Sequence, residues 1–544
     1  MQSKSNGYGD VKRTESIGRI MSTVKILDCT LRDGGYINNW EFGRDSIKGI
    51  INNLEDAKID VIECGFLRAV EYNEESSVFS SVKQIKNFIS PKKDGVMYVA
   101  MIELHEYRSD LLSDYESDGV DGIRLTFRKK EWETAKKVAS EIMKKGYKVF
   151  IQPVGTCTYS DDDLMSLIKD VNVLKPYGFY LVDTLGMMYL HDIRRLFYLI
   201  DNNLSQSICI GFHSHNNLQL SFSNAQEMVR LSRRRTIIID SSVYGMGRGV
   251  GNLATELFAE YLNDYLGQHY FIIPILNIAD KYLSSIYLRQ RWGYDLPYFI
   301  SATIKCHPNY ASYLMKKQTL SIENIEKILS LIPINERDEY NESLIGKLYF
   351  DFQNYSIEDN ESVRKLENLI NKRDVLIIGL GSSIGKNKEL IARTAKEKSL
   401  FIISTNFITK DFELDAVFFS NEKRIKNIEK TDRVNLLGTS NLISLMPSGS
   451  LVFDYSSLLG EGNASDNVGA MLIRVLKKAK VQKIYLAGFD GFDVDSLDNY
   501  YLEKFSNAID YETAKKKNQE ISMQLNKALI GIDYELLTPT KYEI

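Results

Sequence analysis

The chain has 544 residues, 44% of them hydrophobic and 26% charged, which is enough apolar material for at least two folded units and excludes both a single small module and global disorder. Lys plus Arg number 68 against 72 Asp plus Glu, so the net charge of -4 supplies no broad positive field for nucleic acid. No apolar run reaches the ~18 residues of a membrane span and no apolar secretory leader opens the chain, so the sequence predicts a cytoplasmic protein.

Five scattered cysteines, Cys29, Cys64, Cys157, Cys209 and Cys306, form neither a CxxC pair nor a disulfide framework and read as small buried residues. Residues 1–23 are polar and aperiodic, a mobile arm in which Met21 is an alternative start. From Val24 the chain alternates β-branched runs with amphipathic stretches. The strand candidates are VKILDCT, DVIECGF, VMYVAMI, GIRLTF, KVFIQPV, GFYLVDT, SICIGFHSH and TIIIDSSVYG. Eight β-then-α units in about 240 residues predict a (β/α)8 barrel over 24–267, with an open doubly wound sheet as the rival. A helical appendage and linker are expected over 268–371. The apolar strand VLIIGLG then opens a second α/β domain with an open parallel sheet over 372–544, so the fold class is α/β throughout.

Barrel enzymes carry their chemistry at the C-terminal ends of the strands. The first strand leads into TLRDGGY, with Arg32 and Asp33 before two glycines that would let backbone approach a ligand, and the seventh ends in HSHN, with His213 and His215 on one face. An isolated HxH is as well explained by a satisfied polar pair. Taken together, one carboxylate and two imidazoles from facing strands can hold a divalent cation with open positions for substrate.

The segments ILDCTLRDGG, IECGF, GFHSHNN and GMGRGVGNLATE, in that order, resemble the DRE-TIM metallolyase superfamily, which includes 4-hydroxy-2-oxovalerate aldolase, hydroxymethylglutaryl-CoA lyase and the isopropylmalate and homocitrate synthases. The resemblance spans about Val24 to Gly267. It implies Mn2+ or Mg2+ on Asp33, His213 and His215, with Asn252 a further ligand in some branches, and an enolate oxygen stabilised by Arg32. It also implies a 2-oxo acid such as pyruvate, and an aldehyde, as reactants in making or breaking a carbon–carbon bond. Glu63 would orient Arg32 or a metal-bound water, or else form a structural ion pair; Arg124 and Thr184 fall where relatives contact a substrate carboxylate. The aldolases place a His base three residues after the motif Asp, where this chain has Tyr36, and the acyl-CoA synthases carry GEQ where it has GGY. Tyr36 would shuttle a proton or pack over the substrate. In the appendage, Tyr298 and His307 are substrate or acid–base candidates, although the bland reading is the better one for each, a His before Pro308 being most often a turn residue.

The stretches VLIIGLGSSIGKN, AVFFSN and KIYLAGFDGFD resemble bacterial sialyltransferases and pterin-diphosphokinase-like domains. That resemblance implies a nucleotide or nucleotide-sugar near Gly379, Gly381, Ser382, Ser383 and Asp490, and through it a place in surface-polysaccharide biosynthesis; a Gly-rich turn used for assembly is the alternative. The leading expectation is thus a metal-dependent aldolase in a homo-oligomer. An acyl-CoA-dependent Claisen-type synthase and a non-catalytic metal-binding scaffold are the alternatives.

Overall fold

The computed structural model describes residues 23–426, 434–459, 467–493, 499–501 and 511–544, so all but the last residue of the expected N-terminal arm lies outside the described residues. Two compact units make up the chain, Met1–Pro308 and Asn309–Ile544.

The first unit contains β1 (Val24–Asp28), β2 (Val61–Leu67), β3 (Val78–Phe79), β4 (Met97–Glu103), β5 (Gly122–Phe127), β6 (Lys148–Pro153), β7 (Gly178–Asp183), β8 (Cys209–Ser214) and β9 (Ile237–Ser241). Every pairing is parallel, and β1 bonds both to β2 (Asp28 beside Ile62) and to β9 (Val24 beside Ile237), which closes the ring. Eight strands form the barrel, as the sequence predicts, and β3 is a two-residue addition at the edge of β2. The strands are apolar on both faces because both are covered. Leu27, Val61, Val99, Phe150, Tyr180 and Ile238 fill the interior, whereas Ile26, Ile62, Ala100, Ile151 and Ile239 pack with residues of the helical layer such as Ile47, Ile50 and Leu54. Each Val, Leu, Ile or Phe among them contributes roughly 1.5–3 kcal/mol on burial. Among the described residues no helix is long and apolar enough to cross a membrane, and no disulfide joins any of the five cysteines.

The residues expected as one appendage divide between the units. Helices Ile272–Ile278, Ser284–Arg289 and Leu296–Ile304 belong to the barrel unit, and Ile322–Ser330 and Glu342–Gln353 to the second. In the latter, Asn324 donates to the Glu422 carboxylate at 2.6 Å, and Gln353 donates to the Tyr455 hydroxyl at 3.1 Å.

The second unit holds β10 (Val375–Ile378), β11 (Phe401–Thr405), β12 (Ala416–Phe419), β13 (Asn435–Thr439), β14 (Leu451–Phe453), β15 (Lys483–Ala487) and β16 (Asp533–Leu536), all parallel in the order β14-β13-β12-β11-β10-β15-β16. This is the open parallel sheet expected from the sequence. Val375 and Ile377 of β10 pack in one apolar layer while Leu376 and Ile378 pack in the other, so helices cover both faces. Strand order reverses at β10: β11 to β14 lie on one side of it, and β15 and β16, which come later in the chain, lie on the other.

Candidate metal centre and active site

β1 ends at Asp28, and the next residues turn twice as short helices, Thr30–Asp33 and Gly35–Asn38, which carry Arg32, Asp33 and Tyr36 over the barrel mouth. The glycines do not open the backbone to a ligand, as the sequence had suggested. A Cβ on Gly35 would lie 1.9 Å from the Trp40 indole, and one on Gly34 would lie 2.4 Å from the Thr30 carbonyl oxygen, so both are needed for the protein's own packing. Trp40 locks the turn by donating its indole N–H to the Arg32 carbonyl at 2.7 Å.

One oxygen of Asp33 and one ring nitrogen each of His213 and His215 lie within 4.8 Å of one another. His213 Nε2 is 3.7 Å from Asp33 Oδ2. Its other nitrogen, Nδ1, faces Asp240 Oδ2 at 2.9 Å, so Nδ1–H donates and the Nε2 lone pair points to the site. Burial lowers the His215 imidazole to about 4, which leaves it neutral and able to ligate. Burial pushes the Asp33 carboxyl up, but Arg32, His215, His213 and the Asn252 amide outweigh it and hold that carboxyl well below the usual range. Asn252 donates its amide N–H to Asp33 Oδ2, while its Oδ1 is buried with no hydrogen-bond partner.

Beneath this triad runs a buried charge network. Arg32 donates from Nη1 to Asp33 Oδ1 at 2.8 Å and from Nε to Glu63 Oε2 at 2.8 Å. Arg124 pairs Nη1 with the other Glu63 oxygen at 2.8 Å and donates Nη2 to Asp240 Oδ2. Turned to its bonding orientation, the Gln152 amide oxygen accepts from Arg124 Nε at 3.0 Å. Burial disfavours charge on both guanidinia, and the adjoining carboxylates more than offset it, so both are held above their ordinary range. Burial likewise raises Asp240, and Arg124 and His213 reverse the shift to a net lowering. Three carboxylates face two guanidinia, one net negative charge that a divalent cation would reverse. That imbalance, one carboxylate and two imidazoles converging, and the unpartnered Asn252 Oδ1 all fit a divalent cation.

Residues 124–270 match the HMGL-like family model, a span that includes His213, His215 and Asn252 but not Asp33. The barrel carries an HMGL-like domain. Among relatives of the HMGL-like barrel are the oxaloacetate decarboxylase of Mycobacterium tuberculosis, 26% identical over 239 residues, 42% of this chain and 67% of that protein, and the 4-hydroxy-2-oxovalerate aldolase of Thermomicrobium roseum, 26% identical over 258 residues, 46% of this chain and 69% of that protein. The solved HMG-CoA lyase of Brucella melitensis is 15% identical with a TM-score of 0.39, covering 49% of this chain and 99% of that one. Both curated relatives bear the names of carbon–carbon lyases.

The remaining candidates of the HMGL-like barrel fall at different depths. Glu63 joins Arg32 to Arg124 and is 1% exposed, and Arg124 is wholly buried under the Tyr180 ring, so each acts on the mouth through the groups it holds. Thr184 follows β7, and its hydroxyl accepts from the Gly155 amide at 2.9 Å. Tyr36 lies edge-on to Trp40 and Phe66 with the Arg248 guanidinium 5.7 Å over its ring, and burial raises its hydroxyl above the ordinary range. Tyr298 stacks on Gly249, whose φ of +68° and absent side chain its ring requires: a Cβ there would lie 2.3 Å from it. His307 Nε2 accepts from Arg248 Nη2 at 3.1 Å.

Asp240 and Gln152 were not among the sequence candidates, although a charge ending the run TIIID and an amide inside KVFIQP were visible signals. Asp183, buried at the end of β7, is another: it accepts the Met187 and Met188 amides at 3.0 Å, and burial raises it to about 6 against those two bonds.

In the second unit the Gly-Ser loop follows β10 at the strand-order reversal. Ser383 gives its amide to Asp490 Oδ2 at 2.7 Å and its hydroxyl to Oδ1, and Gly381 donates its amide to the Gly488 carbonyl at 2.9 Å. A Cβ on Gly381 would lie 2.3 Å from the Asp490 carboxyl carbon. Gly379 likewise donates its amide to the Ala487 carbonyl at 2.8 Å. Ser382 opens the short helix Ser383–Lys386.

Proposed function

We propose that the barrel is a metal-dependent carbon–carbon lyase that makes or breaks the bond next to the carbonyl of a 2-oxo acid, with pyruvate as the donor. The observation that carries the reading is the buried network of Asp33, Glu63 and Asp240 with Arg32 and Arg124 below the convergent Asp33, His213 and His215. Asp33, His213, His215 and Asn252 would hold Mn2+ or Mg2+. The cation, when bound, supplies Lewis-acid polarisation of the 2-oxo group. A divalent charge leaves the network one unit positive, and a monoanionic 2-oxo acid restores neutrality.

Arg32 has Nε and Nη1 committed to carboxylates, which fixes the plane of its guanidinium. No described residue accepts from its Nη2, so those N–H groups are oriented before substrate arrives and donate to the oxygen on which charge develops. Asp240 keeps the proton of His213 on Nδ1. Thr184, on the loop after β7, would donate its hydroxyl to a substrate carboxylate. Tyr36 holds its proton at neutral pH and serves as a hydroxyl donor over the substrate. Arg124 sets the geometry of Glu63 and Asp240 from below. In the second unit, a nucleotide phosphate at the Gly-Ser loop would compete with the Asp490 carboxylate for the Ser383 amide and hydroxyl.

The test is proton exchange. Protein incubated with Mn2+ and pyruvate in D2O should lose the pyruvate methyl signal, and His213→Ala should abolish both tight metal binding and exchange. A parent protein that binds Mn2+ and leaves the methyl untouched would be the scaffold, and the lyase reading would fall.

A further inference from the structure

Arg248 lies half-buried in the loop that ends in Asn252. The neighbouring guanidinia of the barrel mouth are neutralised: Arg32 by Asp33 and Glu63, and Arg68 by Glu106. Arg248 has no carboxylate within 4.0 Å among the described residues. Its contacts are the His307 ring nitrogen at 3.1 Å and the face of Tyr36 at 5.7 Å, both uncharged. Burial, then the charges of Arg248 and Arg128, lower His307 to about 3, so this imidazole accepts from Arg248 and cannot itself be a cation there. The guanidinium is therefore pinned in place with its charge uncompensated. A partly buried cation is costly unless an anion meets it.

We propose that Arg248, positioned by His307 over Tyr36, binds a carboxylate on the aldehyde partner, so that the lyase works on compounds with a second carboxylate beyond the reacting carbons. This rests on the 2-oxo acid reading above and names the substrate class for the same site. Four N–H groups of the guanidinium are left after the bond to His307, enough for a charge-assisted, two-point contact. Tyr298, against the adjacent Gly249, lines the same loop.

With Mn2+ and pyruvate, addition to succinic semialdehyde should exceed addition to butanal, its uncharged counterpart, by about 10- to 100-fold in kcat/KM, the range of a charge-assisted bond. Arg248→Ala should erase that preference and Arg248→Lys should retain part of it. His307→Gln, which keeps an acceptor, should preserve the preference better than His307→Ala. A second arm needs no turnover: metal-free protein should show saturation transfer to butyrate and not to butyramide, and Arg248→Ala should lose the butyrate signal. Absence of methyl exchange in the parent overturns the lyase reading. Exchange with equal use of the two aldehydes overturns the present inference alone, as does butyrate binding that survives in Arg248→Ala.

Discussion

Replacing Asp240 with Asn tests whether the buried network governs the metal site. Asp240 is 2% exposed, and its Oδ2 receives both Arg124 Nη2 and His213 Nδ1. The amide removes the charge that Arg124 needs, leaving a wholly buried guanidinium with Glu63 as its one carboxylate. Breaking a buried pair from one side costs about 3–5 kcal/mol. At about 2 °C per kcal/mol for a unit of this size, the Tm should fall by about 6–10 °C. An asparagine also offers His213 either an oxygen or an N–H, so the Nδ1–H tautomer loses its bias and the Nε2 lone pair is no longer guaranteed. Loss of such a supporting partner weakens metal affinity by about 10- to 100-fold. Calorimetric titration of Mn2+ into stripped protein and a thermal melt read the two effects separately. A variant that melts within about 1 °C of the parent and binds Mn2+ within about twofold would refute the network argument. Lost stability with unchanged affinity would refute the tautomer argument alone.

Arg32→Lys should lower kcat by at least about 100-fold with a smaller change in KM, since lysine cannot hold Asp33, Glu63 and the substrate oxygen at once; steady-state kinetics would show a KM-only effect if Arg32 merely holds substrate. His307 is depressed to about 3 in the fold against an ordinary 6.5, so the unfolded chain takes up a proton that the folded one refuses, and stability should fall as pH drops from about 6.5 toward 3. Because Asp28 and Asp183, both raised to about 6 by burial, oppose this slope, the check is a comparison of acid melts, in which His307→Gln should lose less stability between pH 7 and 4 than the parent. A chain ending at Pro308 should fold, bind Mn2+ and exchange pyruvate protons, because all the ligands and their supports lie upstream; circular dichroism and metal titration would expose a misfolded fragment. Asp490→Asn should free the Ser383 amide from a carboxylate and strengthen any binding of a nucleoside diphosphate, measured by titration, whereas weaker binding would make Asp490 a contact instead of a competitor.

The barrel was legible because parallel strands buried on both faces leave unmistakable apolar runs, and the motifs TLRDGG and HSHN fall just past two of them. The partners of those motif residues were harder to read. Arg124 and Asp240 stand 116 positions apart, each a single charge inside an apolar run, and nothing local says that they meet. Closure of the ring decides it. β14 is apolar but only three residues long, and β16 is polar and exposed, so neither leaves the longer apolar run of the other five strands of their sheet. Helices after residue 267 such as Ile322–Ser330 are amphipathic, and no local pattern says which core each one serves; bonds such as Asn324 to Glu422, 98 residues apart, settle it.

The ring is sealed by its first strand meeting its last, and the candidate ligands come from both ends of that seam: Asn252 reaches Asp33 across 219 residues. During synthesis no complete pocket exists until the eighth strand and the loop after it have left the ribosome. Contacts of such long sequence separation form late and slowly. An ion that binds only the finished set acts as a clasp on the closed state and favours it by mass action. Uptake of Mn2+ by a refolding chain would therefore time the moment of closure, and a chelator should slow or reverse that step while leaving the earlier β/α units to form.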